Sequence, residues 1–255
     1  MDRKKIVLKL GTSTLTAGST HISYGKLEDI ARQLLALRDT YDIIVVSSGA
    51  IATAKQFVSL SGNGNTVELK QALSAIGQPK LMSMYDEVFE KFGLHMAQCL
   101  LTNRDIDHDV SRTNIKNTLD VLLANGYTPI INENDTVAIE EIMFGDNDAL
   151  AAHVAVIAEA ELVVLASDVD GLYDRNIHTD KDAILIEEVS DLKSVESYIG
   201  ESTTTLGTGG MRSKLKSVEI CRNAGIEVWI VNGQKQNFLV EALAHKIQFT
   251  TFTTT

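Results

Sequence analysis

Leu162–Ala166 reads LVVLA, and Ser167-Asp168-Val169-Asp170-Gly171 follows it directly. Five apolar residues without polar alternation predict a strand buried on both faces. The polar run that ends in glycine predicts a turn at that strand's carboxyl end. The same arrangement recurs outward along the chain. Lys5–Leu10 (KIVLKL) runs into Gly11-Thr12, Ile43–Ser47 (IIVVS) into Ser48-Gly49, and Pro129–Asn132 into Glu133-Asn134-Asp135. His95–Leu101 and Ile226–Val231 also read as strands, and Ala183–Glu187 as a short one.

Amphipathic stretches separate these runs. Tyr24–Thr40 reads as a helix with Ser23 as its N-cap. Val67–Phe92 reads as a helix interrupted at Pro79, where an N–H is missing. Ser111–Ala124 ends at Asn125-Gly126, Asp148–Glu159 follows, and Met211–Ala224 ends at Gly225. Ser59–Asn65 and Glu201–Gly210 read as loops, and the tail Phe249–Thr255 as an edge strand or a disordered end. Buried strands alternating with helices predict an α/β fold, a mostly parallel open sheet flanked by helices on both faces. Ligands of such sheets sit at the carboxyl ends of the strands, where the polar clusters fall.

Composition narrows the function. The 255 residues carry 34 acidic and 23 basic side chains, a formal net charge of -11. That balance argues against a nucleic-acid surface but allows a local anion pocket. The two cysteines, Cys99 and Cys221, lie in apolar stretches and read as buried, reduced thiols. The histidines show no metal-ligand spacing. The apolar stretch Ala149–Ala166 contains His153, Glu159 and Glu161, so it predicts no membrane span. The apolar run within Met1–Leu10 is too short for a signal peptide, so a cytoplasmic location is expected.

Gly207-Thr208-Gly209-Gly210-Met211-Arg212-Ser213-Lys214 carries the strongest chemical signal. Met211, Leu215, Val218 and Cys221 recur at helical spacing, so the glycines feed a helix N-terminus. Free backbone N–H groups and the helix dipole there favour phosphate, and Lys214 falls in the first turn. The bland alternative is a flexible loop that caps an ordinary helix. Lys9 precedes Gly11 at the end of a strand, but neither the P-loop nor the dinucleotide fingerprint is present. Gly145-Asp146-Asn147-Asp148 together with Asn132, Asn134 and Asp135 is denser in polar groups than a turn requires. Asparagine amides both donate and accept, which suits the α-carboxylate and α-ammonium of an amino acid, and Asp135 suits the ammonium. Ser47-Ser48-Gly49 adds hydroxyl and N–H donors for a carboxylate.

Together these segments resemble the amino acid kinase family, from Lys5 to about Phe252. SDVDGLYD (Ser167–Asp174) resembles the family's nucleotide-lobe motif. SSGA (Ser47–Ala50), INENDTV (Ile131–Val137), GDND (Gly145–Asp148) and GTGGMRSK (Gly207–Lys214) resemble its glutamate-phosphorylating branch. Ser47 stands where that branch commonly has threonine. The resemblance implies two lobes in one domain, 1–160 for the amino acid and 161–252 for the nucleotide, with no C-terminal PUA domain. It implies ATP as co-substrate, Mg2+ held mainly by the ATP phosphates, and L-glutamate as phosphoryl acceptor in the first step of proline biosynthesis. Lys9, Lys214 and Asp148 then correspond to catalytic positions, and Ser48, Asn132, Asp135 and Asn147 to substrate-binding ones. Lys9, Ser167, Asp168, Thr208, Gly209, Gly210, Met211, Arg212, Ser213 and Lys214 correspond to the ATP site. A homo-oligomer, feedback inhibition by proline, and no nucleic-acid or membrane partner are also implied. A kinase acting on N-acetylglutamate and a non-catalytic amino-acid sensor on the same fold are the alternatives. A degenerate sensor would be expected to lose a lysine or the aspartate, and all three are present.

Overall fold

The computed structural model describes residues 3–60, 66–138, 147–177, 179–195, 198 and 210–254. Eight strands form one sheet: β1 (Lys4–Leu10), β2 (Tyr41–Ser47), β3 (His95–Leu101), β4 (Tyr127–Glu133), β5 (Leu162–Ser167), β8 (Glu188–Val189), β9 (Glu227–Asn232) and β10 (Thr250–Phe252). Their order is β3-β4-β2-β1-β5-β9-β10-β8. Every pairing is parallel except β10 with β9. β6 (Leu172–Tyr173) and β7 (Leu185–Ile186) form a separate antiparallel pair. The chain builds one side of β1 first and then crosses to the other at β5, so β1 and β5 flank the point where strand order reverses. Open α/β sheets form their ligand crevice at such a point.

The helices are α1 (Thr12–Leu15), α2 (Tyr24–Leu37), α3 (Ala50–Phe57), α4 (Val67–Lys91), α5 (Asn103–Asp107), α6 (Asp109–Ala124), α7 (Asp148–Ala158), α8 (Met211–Asn223) and α9 (Phe238–Leu243). Alternation along the strands sorts them into two layers. Ile6, Leu8, Val45, Ile130, Val164 and Trp229 pack with α2, α4 and α9. Val7, Ile44, Val46, Ile131, Val163, Leu165, Val228 and Ile230 pack with α5, α6, α7 and α8. Both faces are therefore covered, as uninterrupted apolar strands require.

Three expectations are corrected. Pro79 lies inside α4, which runs unbroken from Val67 to Lys91. Burial of Leu81, Tyr85, Val88 and Phe89 downstream of it outweighs the loss of one helical hydrogen bond. The tail is neither an edge strand nor disordered over 250–252: β10 lies between β9 and β8. Cys221 is buried, its thiol pushed up to about 12 by desolvation, whereas Cys99 is only half-buried. Ser23 does cap α2, accepting from the Lys26 N–H at 3.2 Å. Of the two expected loops, 61–65 and 201–209 lie outside the described residues. Among the described residues no helix is long and apolar enough to cross a membrane.

Candidate active site

Lys9 follows Val7 and Leu8 on β1, so alternation turns it toward the layer that holds α7. Asp148, the first residue of α7, lies there fully buried. The Lys9 Nζ is 2.5 Å from Asp148 Oδ1. Lys214, in the first turns of α8, places its Nζ 2.8 Å from Asp148 Oδ2. One carboxylate thus bridges two ammonium groups whose side chains are 6% and 9% exposed. The helix N-terminus that carries Asp148 adds favourable dipole. The cluster keeps one net positive charge, and two ammoniums around a carboxylate suit a phosphate group rather than a bare cation.

The polar groups of the neighbouring strand ends form a second cluster. The Asn147 Nδ2 donates to the Ser47 carbonyl at 2.8 Å, to Ser48 Oγ at 3.2 Å and to Asn132 Oδ1 at 2.8 Å. The Glu133 N–H donates to Asn132 Oδ1 at 2.8 Å, and Asn132 Nδ2 donates to Gln78 Oε1 at 2.8 Å. Ser47 Oγ and the buried Tyr85 hydroxyl share a bond of 2.9 Å. The Ser48 N–H donates to the Leu10 carbonyl at 3.0 Å, tying this turn to β1. Ser74 Oγ donates to Asp135 Oδ2 at 2.7 Å. Burial holds the Asp135 carboxyl above its ordinary value, and the Ser74 bond only partly opposes this.

Ser167 ends β5 beside β1 and Asp168 follows it, with Ala166 in register with Leu10. The Gly233 N–H donates to the Ser167 carbonyl at 2.8 Å, and Ser167 Oγ donates to Asp168 Oδ1 at 3.2 Å. Gly210 is the N-cap of α8, where no side chain caps the helix. Met211, Arg212 and Ser213 form its first turn, with Arg212 exposed. Thr208 and Gly209 lie outside the described residues, as do Gly145 and Asp146. Among the described residues no group of three or more His, Cys, Asp or Glu side chains is placed to hold a metal ion.

The amino acid kinase family profile matches residues 4–232. The chain belongs to the amino acid kinase family. It is 42% identical to the glutamate 5-kinase of Geobacter sulfurreducens over 243 residues, covering 94% of this chain and 65% of that protein. Against the glutamate 5-kinase of Clostridium acetobutylicum it is 40% identical over 250 residues, covering 97% and 94%. The chain thus spans nearly all of one relative and about two thirds of the other. UMP kinase from Ureaplasma parvum superposes with a TM-score of 0.67 at 17% identity, covering 99% of this chain and 100% of that one. An isopentenyl phosphate kinase does so at 0.64 and 19%, covering 98% and 100%. At such identities these two structures speak for the fold alone.

Sequence reading missed the contribution of α4. Ser74, Gln78 and Tyr85 each reach a strand-end residue from that helix. Gly77 makes this approach possible. A Cβ there would stand 1.8 Å from the Ala50 carbonyl oxygen and 2.8 Å from the Ala54 nitrogen, so α4 lies directly against the start of α3. A polar pair at i, i+4 flanking a glycine, Ser74 and Gln78 around Gly77, was the available signal. Glu133 is a further residue that sequence pattern does not single out; among the described residues its buried carboxylate has no hydrogen-bond partner.

Proposed function

We infer that the protein transfers the γ-phosphoryl group of ATP to the γ-carboxylate of L-glutamate, giving ADP and L-glutamyl 5-phosphate, the first step of proline biosynthesis. One observation carries this reading: the Lys9–Asp148–Lys214 bridge stands beside the Ser48, Asn132 and Asn147 cluster at neighbouring strand ends. Family membership and relatives named glutamate 5-kinase support the same conclusion.

The acceptor carboxylate is ionised at neutral pH, with an unperturbed pKa of about 4.3, so the reaction needs no general base. Catalysis reduces to in-line placement and neutralisation of charge on the phosphoryl group. Lys9 and Lys214 supply the neutralising charge, and Asp148 holds the two ammoniums together against their repulsion. Ser48, Asn132 and Asn147 receive the amino acid, and Asp135 takes its α-ammonium. Residues 1–160 form the glutamate lobe and 161–252 the nucleotide lobe, with Ser167, Asp168 and the 208–214 segment at the ATP. Mg2+ arrives on the ATP phosphates as part of the substrate. Proline as feedback inhibitor and a homo-oligomeric assembly belong to the reading through the family.

ADP release measured in parallel with glutamate, aspartate, N-acetylglutamate and UMP tests it, with hydroxylamine trapping the acyl phosphate. Turnover with UMP or N-acetylglutamate but none with glutamate overturns the assignment. An N-acetyl group removes the ammonium proposed to meet Asp135.

A further inference from the structure

We propose that Gln78 is a substrate-binding residue, donating from its Nε2 to the α-carboxylate of the amino acid. This deepens the functional reading above and rests on it. Among the described residues the buried Gln78 Nε2 has no hydrogen-bond partner. Its identity as a donor follows from main-chain anchors. The Ser47 carbonyl can only accept, so Asn147 presents its Nδ2 there. The same Nδ2 donates to Asn132, and the Glu133 N–H donates to that atom too, so it is Oδ1. Asn132 therefore turns its Nδ2 to Gln78, whose Oε1 must accept it. The group left over is an N–H donor, and it needs an acceptor.

A buried donor without a partner is destabilising, so its retention beside a polar cluster points to a ligand oxygen. Position identifies which oxygen. Gln78 lies one helical turn after Ser74, on the same face of α4, and Ser74 holds Asp135. Asp135 is assigned the α-ammonium, and in an amino acid the α-carboxylate shares a carbon with that ammonium. The reacting γ-carboxylate must instead lie against Lys9 and Lys214. Gln78 thus acts on binding and on selection for an α-amino acid, remote from the transferring phosphoryl group.

Gln78→Glu is the sharp test, because it is isosteric and keeps the acceptor for Asn132 while replacing the donor with an oxygen. Gln78→Met is its uncharged companion. Both are assayed with glutamate and with 4-aminobutyrate, which is glutamate without the α-carboxylate. Loss of a charge-assisted donor raises the glutamate KM roughly 10–150-fold in Gln78→Met, and more in Gln78→Glu. The kcat and the ATP KM stay within about threefold, and the inhibition constant of 4-aminobutyrate is unchanged in Gln78→Met. A merely structural role would weaken both ligands equally, and that outcome overturns the proposal. So does a folded variant whose glutamate KM matches the wild type. If neither variant folds, the side-chain amide resonance of Gln78 in the wild-type protein decides. It shifts on adding glutamate but not 4-aminobutyrate, and no difference between the two overturns the proposal. Wild-type protein without glutamate turnover would refute the parent reading instead. Calorimetric binding of glutamate to the same proteins then still tests Gln78.

Discussion

Asp148→Asn removes one negative charge from a fully buried position and leaves two ammonium groups facing each other. The carboxylate stands 2.5 Å from Lys9 Nζ and 2.8 Å from Lys214 Nζ. Two unit charges about 5 Å apart repel by roughly 3 kcal/mol at an effective dielectric of about 20. Breaking a buried ion pair by deleting one partner costs about 3–5 kcal/mol, which agrees. For a chain of this length each kcal/mol moves Tm by about 2–4 °C, so the variant should melt roughly 6–20 °C lower. Asparagine keeps the shape, so packing contributes little to the loss. The second half of the prediction concerns ligand. The variant's lysines carry two uncompensated charges instead of one, so saturating ATP should raise its Tm by more than it raises that of the wild type. Turnover falls nonetheless, because the ammoniums are no longer held in place. Thermal melts with and without ATP read both effects. A variant that melts within about 2 °C of wild type and gains no more from ATP would show that the bridge contributes neither stability nor charge compensation.

Lys214→Ala should lower kcat about 10²–10³-fold while calorimetry still detects glutamate binding, because its ammonium is proposed to meet charge that develops during transfer; an unchanged kcat removes it from the mechanism. Asp135→Asn should raise the glutamate KM roughly 10–150-fold and spare the ATP KM. Burial raises the Asp135 carboxyl above its usual 3.8, so the folded state favours the protonated form and loses stability as pH rises through the folded value. The asparagine variant should therefore melt higher than wild type at neutral pH, an advantage that disappears as pH falls below 3.8; a lower Tm at neutral pH contradicts this. Gly11→Ala and Gly77→Ala should separate function from folding. A Cβ at Gly11 meets the Lys9 Nζ at 3.5 Å, an ordinary contact, so that variant should fold normally, and because the added methyl sits beside the ammonium proposed to meet phosphate, its ATP turnover should fall. A Cβ at Gly77 runs into the Ala50 carbonyl, so that variant should lose about 1–3 kcal/mol or more in urea unfolding. Equal stability of the two would refute the packing argument.

The Lys9–Asp148 contact was nearly legible in the sequence. Period-two alternation puts Lys9 on the face of Val7, and the helix that starts at Asp148 covers that face. The convergence of Lys214 on the same carboxylate depends on α7 and α8 packing side by side, which no local pattern encodes. The amides of Asn132 and Asn147 were legible as a polar excess at strand ends, but their hydrogen-bond order was not. That order comes from two backbone groups, the Ser47 carbonyl and the Glu133 N–H, and their positions depend on sheet register. The helix α4 was the main loss. Pro79 read as a break, and a break there would have detached Tyr85 from Ser74 and Gln78. Tertiary burial overrides the proline and keeps all three on one rod.

The two halves of the site hold their polar groups in different ways, and the difference suits their ligands. The end proposed for phosphate is half-neutralised in advance, since Asp148 pairs with both lysines, offsets their repulsion and leaves one net positive charge. In the proposed reaction the transferring phosphoryl group meets ammonium groups already in place, so little reorganisation is needed when charge develops. The end proposed for the amino acid is ordered from the main chain outward, through Asn147 and Asn132, and stops at a donor that no described residue satisfies. At Asp135 burial likewise disfavours the charged carboxyl that an ammonium would stabilise. The Gln78 donor is costly without an acceptor, the Asp135 carboxylate is only partly compensated by Ser74, and in the proposed reading a ligand with an anionic and a cationic group on one carbon completes both. On the proposed reading these two features select for an α-amino acid, and an N-acylated substrate would satisfy only the first of them.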